Sequence, residues 1–225
     1  MRPIQQVFTF FAECREKFGP VLGPLIWEEL NKVFDCLPLC AIVDEQIYTA
    51  HGGIPASTVR LEPLYNAPTP LPDPNSMCKP AWEVLWNDPV SRSDYQDFLD
   101  FLVDVTAFPR YPLGGFVPNI KRSTAFYWCE DALNQFKDHN ALTYVIRAHE
   151  VTILLRDSAG FSKFLFCLFT QVIPSGFQFA MDGQMMTIFS SSNYCGAANE
   201  SAVVFIEGGK MRVIKIETNA PFVDL

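Results

Sequence analysis

Apolar residues recur at helical spacing in two stretches near the start of the chain. Val7, Phe8, Phe11 and Phe18 fall near one face of a helix predicted over 5–18, which Gly19-Pro20 ends. Ile26, Leu30, Val33, Phe34 and Leu37 repeat at helical intervals and predict a second helix over 24–36, with Pro24 suited to its first turn. The period then changes. Leu39 to Val43 is a short continuous apolar run, the mark of a strand buried on both faces. Asp44-Glu45 reads as a turn, and 46–50 as a second strand that runs straight into His51-Gly52-Gly53.

The stretch 54–80 is rich in proline and reads as a loop inside one domain, followed by a short helix over 81–86. Residues 91–115 show no clear period. A helix is predicted over 130–138 with Leu133 and Phe136 inward, then a buried strand over 142–146 that ends at Arg147-Ala148-His149. Strands are predicted over 185–189, 202–207 and 211–216. The last two flank Gly208-Gly209, which can take positive φ at both positions of a two-residue hairpin turn.

Composition narrows the function classes. With 225 residues, 49% hydrophobic and 19% charged, the chain can bury one good-sized core. Its net charge of −8 comes with no basic stripe, which argues against a nucleic-acid partner. The apolar run from Phe164 to Phe169 is far short of the roughly 20 residues a membrane span needs, and Arg2, Pro3, Gln5 and Gln6 interrupt any leader-like start. Seven Cys, an odd count without a C-x-x-C pair, read as reduced thiols in the cytoplasm or nucleus.

Two histidines share a context. His51 and His149 each follow a predicted buried strand, and strand ends along one sheet edge are where α/β proteins hold ligands. Two neutral imidazoles from neighbouring strand ends can share one divalent metal, although spacing alone favours a hydrogen-bonded core residue for each. Gly52-Gly53 leaves the backbone beside His51 free for positive φ and for close approach. His139 lies at a helix end, where it suits the dipole. Arg147 alternates onto the face of His149, and Arg122 lies in the polar segment from Asn119 to Ser123. Either guanidinium can grip phosphate or simply be solvated. Tyr194 belongs to a polar loop, Asn193-Tyr194-Cys195-Gly196, beyond a strand.

In their order, these segments resemble the phosphoprotein phosphatase family, the metal-dependent serine/threonine phosphatases that include the calcineurin-like members. Phe10-Phe11-Ala12-Glu13-Cys14 is similar to F-Y-x-E-C, and Phe34 to Val43 to F-x-x-L-P-x-x-A-x-I/V. His51-Gly52-Gly53 matches H-G-G, Leu85-Trp86-Asn87-Asp88-Pro89 resembles L-W-S-D-P, and Arg147-Ala148-His149-Glu150 matches R-A-H-Q/E. Phe189 to Gly196 resembles F-S-A-P-N-Y-C-G. The likeness covers roughly 7–97, 118–152 and 177–217.

The resemblance implies an α+β fold, a four-layer α/β/β/α sandwich. It implies two divalent metal ions (Mn, Fe or Zn), whose bridging water attacks the phosphorus of phosphoserine or phosphothreonine in protein substrates. His51 and His149 are implied as ligands of the second metal, Arg122 as a phosphate-gripping arginine, Tyr194 as the aromatic that closes over the phosphate, and Arg147 as structural. Around Arg122, Lys121 stands where the family has an acidic residue and Ser123 where it has Gly.

The family's first three motifs, G-D-x-H-G, G-D-x-V-D-R-G and G-N-H-E, do not occur. The expectation is therefore one partial catalytic domain over 1–225, starting just past the third motif, with one incomplete metal site and little activity alone. Two insertions depart from the family, at about 97–117 and 154–175. Within the second, the stretch from Phe161 to Gln171 is rich in Phe and Leu with one Cys, the composition of a translated pyrimidine-rich intron end, and the insertion stands equally as a genuine loop or helix. Beside the phosphatase reading stand a catalytically dead binding scaffold and a phosphoesterase of small phosphate esters. A regulatory subunit is a further expected partner, with no membrane involved.

Overall fold

The computed structural model describes residues 1–91, 95–96, 114–120, 122–149, 173–194 and 198–216. Most of both expected insertions, at 97–113 and 154–172, lies outside the described residues, as do Lys121, Glu150, Cys195 and Gly196 of the motifs.

The chain opens with α1 (Arg2–Val7) and α2 (Phe10–Phe34). The break expected at Gly19-Pro20 is present inside α2, where Gly19 takes φ 81° and ψ 169°. Only glycine reaches that conformation without strain. The buried face differs from the predicted one. It consists of Cys14, Gly23, Trp27 and Asn31, while Val7, Phe8, Phe18, Val33 and Leu37 are exposed. The reason is local: α1 ends at Val7, and Thr9 at φ 70° resets the helical phase, so Val7 and Phe8 do not continue the face of α2. Gly23 is required by close packing, because a Cβ there would lie 2.6 Å from the Cα of Arg15. Arg2 ties the two helices together through Glu28 and Asp35.

Five strands form the main sheet: β1 (Cys40–Val43), β2 (Ile47–Ala50), β6 (Tyr144–Arg147), β7 (Phe177–Ala180) and β8 (Met185–Ile188), in the order β1-β2-β6-β8-β7. β2, β6 and β8 run parallel, and β1 and β7 close the edges antiparallel. The apolar run of β1 is thus not buried on both faces. As an edge strand it leaves Ala41 exposed, and Asp44-Glu45 turns it into β2 as expected.

A second sheet joins β3 (Asp88–Pro89), β4 (Phe116–Pro118) and β5 (Phe126–Trp128) in the order β3-β5-β4. These strands are too short for alternation to register in a sequence. β9 (Ser201–Glu207) and β10 (Lys210–Ile216) pair as the expected hairpin, with Gly208 and Gly209 both at positive φ.

The proline-rich stretch is not loop throughout. It carries α3 (Glu62–Tyr65) and α4 (Pro74–Met77), each with Pro in its first turn, and leads into α5 (Lys79–Trp86). The last helix, α6 (Glu130–Asn140), buries Leu133 and Phe136 as predicted. His139 lies in its last turn and bonds the Gln135 carbonyl. The core between α6 and the main sheet holds Tyr48, Val145, Met185, Trp128, Leu133 and Phe136, with the rings of Tyr48 and Phe136 5.1 Å apart and edge-on. Among the described residues, no helix is long and apolar enough to cross a membrane.

Candidate metal and phosphate site

The register of the main sheet places the two histidines. Ala50 of β2 pairs with Arg147 of β6 in a parallel ladder, so the residues that follow leave the sheet at the same edge. His51 and His149 meet there, with ring centroids 4.7 Å apart. His149 has φ 67°, a left-handed backbone uncommon outside glycine, which aims its ring after the strand has ended.

Gly52 and Gly53 are needed for contact rather than for φ, since neither has a positive value. A Cβ on Gly52 would lie 2.7 Å from the backbone of Leu85, and one on Gly53 would lie 2.5 Å from Nε1 of the buried Trp128. Their amides donate to the Val84 carbonyl at 2.7 and 3.1 Å. The C-terminal end of α5 is therefore docked on the strand end that carries His51. Asn87 locks it further, donating to the Ile54 carbonyl at 2.7 Å and accepting from the Phe126 amide at 2.9 Å.

This docking delivers Asp88 to the centre of the site. Its Oδ2 accepts from Nε of Arg122 at 2.5 Å and from Asn119 at 3.0 Å. Its Oδ1 accepts from Nη2 of Arg147 at 3.0 Å and from Nη2 of Arg122 at 3.4 Å. Arg147 also donates from Nε to the Gly52 carbonyl at 2.5 Å and from Nη1 to the His149 carbonyl at 3.0 Å. The guanidinium of Arg122 stacks 5.6 Å from the Trp86 ring, which meets His149 edge-on at 5.8 Å.

The electrostatics favour an anion beside two neutral imidazoles. Two guanidiniums against one carboxylate leave the trio with one positive charge. Burial first, then Arg122, Arg147 and His51, push the His149 pKa down to about 2. Asp88 does not offset this: it lies 3.8 Å from His149 Nε2, too long for a hydrogen bond, and both of its oxygens are already engaged. His51 keeps an exposed edge, but the protein packed round the rest of its ring lowers its pKa too. Arg147 and Arg122 act in the same direction, and Asp88 opposes them.

Nε2 of His149 is buried and has no hydrogen-bond partner among the described residues. A buried polar atom left unpaired is costly, and a neutral imidazole nitrogen in that state fits a divalent cation. Among the described residues, however, no group of three or more His, Cys, Asp or Glu side chains converges to hold a metal, so the donor set is two imidazoles. Arg122 commits its side edge, Nε and Nη2, to Asp88. Its Nη1 end has no acceptor among the described residues, and the side chain is 18% exposed. That free end is the part of the fork that can receive an oxyanion.

Of the residues singled out from the sequence, His51, His149 and Arg122 come together, and Arg147 lies fully buried beneath them. Tyr194 packs edge-on against Phe189 at 5.3 Å, and its backbone N–H donates to Oδ1 of Asn199; none of the contacts just described involves it. Two residues of the site carried no assigned role in the sequence: Asp88 and Trp86. The available signal was an acid next to a proline inside an apolar segment, where a buried carboxylate demands cationic partners.

The family model for calcineurin-like phosphoesterases matches residues 10–152. The serine/threonine-protein phosphatase BSL2 of Arabidopsis thaliana is 26% identical over 212 residues, covering 94% of this chain and 17% of that protein. A solved structure of a protein serine/threonine phosphatase from Saccharomyces cerevisiae, with similarity to human phosphatase PP5, shares the fold at TM-score 0.62 and 19% identity, covering 99% of this chain and 59% of that one. The chain thus spans less than a fifth of BSL2 and about three-fifths of the yeast structure. The family model takes in more than half of the residues, with the His pair inside the match, and the chain belongs to the calcineurin-like phosphoesterase family.

Proposed function

We propose that this chain carries the metal- and phosphate-binding part of a serine/threonine protein phosphatase, which hydrolyses phosphoserine and phosphothreonine in proteins. The observation that supports this most is the contact of two neutral imidazoles at adjoining strand ends, beside an arginine whose Nη1 end has no acceptor among the described residues. His51 and His149 would hold a divalent ion, which when bound would supply Lewis acidity and a more acidic water. Arg122 would grip the phosphoryl oxygens end-on, with Asp88 and Trp86 fixing its plane. Tyr194 would close over the bound phosphate from its loop. The relatives' names favour a phosphoprotein over a small phosphate ester as substrate.

Two imidazoles are fewer than the three protein ligands a catalytic zinc normally keeps, and a two-ion clamp needs more still. The expected behaviour of the 225-residue chain alone is therefore weak metal binding and slow hydrolysis. The absence of a third ligand among the described residues also supports a second reading, an inactive scaffold that keeps this fold for binding. Calorimetric titration with Mn²⁺ separates the two. Binding that disappears in His51→Asn and His149→Asn supports the phosphatase reading, and no binding by the wild type supports the scaffold. Phosphopeptide hydrolysis in Mn²⁺ at the rate of complete phosphatases would refute the expected weak activity.

A further inference from the structure

We infer that Arg147 is a positioning residue that sets both halves of the site at once, the imidazole pair through the backbone and Arg122 through Asp88. This rests on the proposed reading of the site. The bonds of Arg147 go to different elements. Nε takes the carbonyl of Gly52, next to His51; Nη1 takes the carbonyl of His149; Nη2 takes Oδ1 of Asp88. Asp88 in turn holds the side edge of Arg122.

Each link fixes something the site needs. The bond to Gly52 holds the residue after His51, and the bond to His149 holds a residue whose φ of 67° is not self-sustaining. The bond to Asp88 fixes Oδ1 of a carboxylate whose Oδ2 is held by Arg122 and Asn119. The guanidinium suits this because it is a rigid planar fork with donors in three directions, whereas an ammonium has one point of charge. Its complete burial means that it does not meet the phosphate itself, so it acts through its neighbours.

The test uses the full 225-residue chain. Arg147→Lys keeps the charge and loses the fork. Side-chain NMR reads the geometry without metal, through the ring-to-ring NOE of His51 and His149 and the exchange protection of the Arg122 Nε proton. Titrations with Mn²⁺ and with inorganic phosphate read the two halves separately.

The expected result is a folded variant in which the NOE and the protection are both lost and both affinities fall about 10- to 100-fold, the range seen when supporting residues of a metal site are removed. A folded variant that keeps both NMR signals overturns the inference. Should the wild type bind neither probe, the functional reading fails, and the NMR comparison still decides the role of Arg147. If Arg147→Lys does not fold, the charge-balanced pair Arg147→Met with Asp88→Asn leaves the trio's net charge unchanged and serves in its place. Retention of the His51–His149 NOE in that pair overturns the inference, and its loss supports it.

Discussion

Asp88 receives both Nε and Nη2 of Arg122 while its Oδ1 also receives Arg147, so one buried carboxylate is the counter-ion of two guanidiniums. Taking away one member of such a group strands the others. Asp88→Asn is expected to lower stability by about 3 kcal/mol, because two cations, the fully buried Arg147 and the largely buried Arg122, lose their neutralising partner. Equal urea midpoints for variant and wild type would contradict it. The same substitution should free Arg122 to rotate off Trp86 and weaken inorganic phosphate binding.

A second expectation concerns acid. His149 has a pKa of about 2 in the folded chain, against an ordinary value near 6.5. Between these values the unfolded chain binds the extra proton, so stability is complete above pH 6.5 and falls as pH decreases towards the folded value. This residue alone costs about 2 kcal/mol by pH 5. His51 acts in the same direction, since its pKa is also lowered. Urea unfolding at pH 7.5 and pH 5, with chelator present, should show a smaller drop in His149→Asn than in the wild type. Identical drops would mean that His149 is not held neutral.

Gly53→Ala tests the docking of β5 against the His51 loop. The added methyl meets Nε1 of Trp128, a fully buried ring, at 2.5 Å, and neither partner has room to retreat. The expected cost is about 1–3 kcal/mol, as for overpacking elsewhere. The indole resonance of Trp128 should shift with it. An alanine variant with unchanged melting temperature would show that the contact relaxes freely.

Parts of this arrangement were readable in advance because they depend on short-range pattern. The period change at Leu39 placed β1 and β2, and a histidine just beyond each of two strands predicted as buried placed the imidazoles at strand ends. Whether those ends adjoin is a matter of strand order, which periodicity does not carry; the likeness of the motifs to a known family supplied it. Asp88 was quoted within L-W-x-D-P but received no role, since its partners come from 34 and 59 residues further along the chain. The exposure of Val7 and Phe8 was misjudged for the opposite reason: a local reset at Thr9 broke a pattern that looked continuous.

The last expectation is a metal-dependent rise in stability that needs two of the three histidines and not the third. An ion that binds only the folded chain stabilises it by mass action, about 2.7 kcal/mol at a hundredfold excess over Kd. His51 and His149 are the two neutral imidazoles in contact, and Nε2 of His149 has no hydrogen-bond partner among the described residues. His139 lies exposed in the last turn of α6 with Nδ1 on the Gln135 carbonyl. Thermal unfolding with and without excess Mn²⁺ should therefore show an upward shift in the wild type and in His139→Asn, and none in His51→Asn or His149→Asn. A shift that survives loss of either member of the pair would place the ion elsewhere, and the convergence of the two rings would then be a packing contact without a ligand.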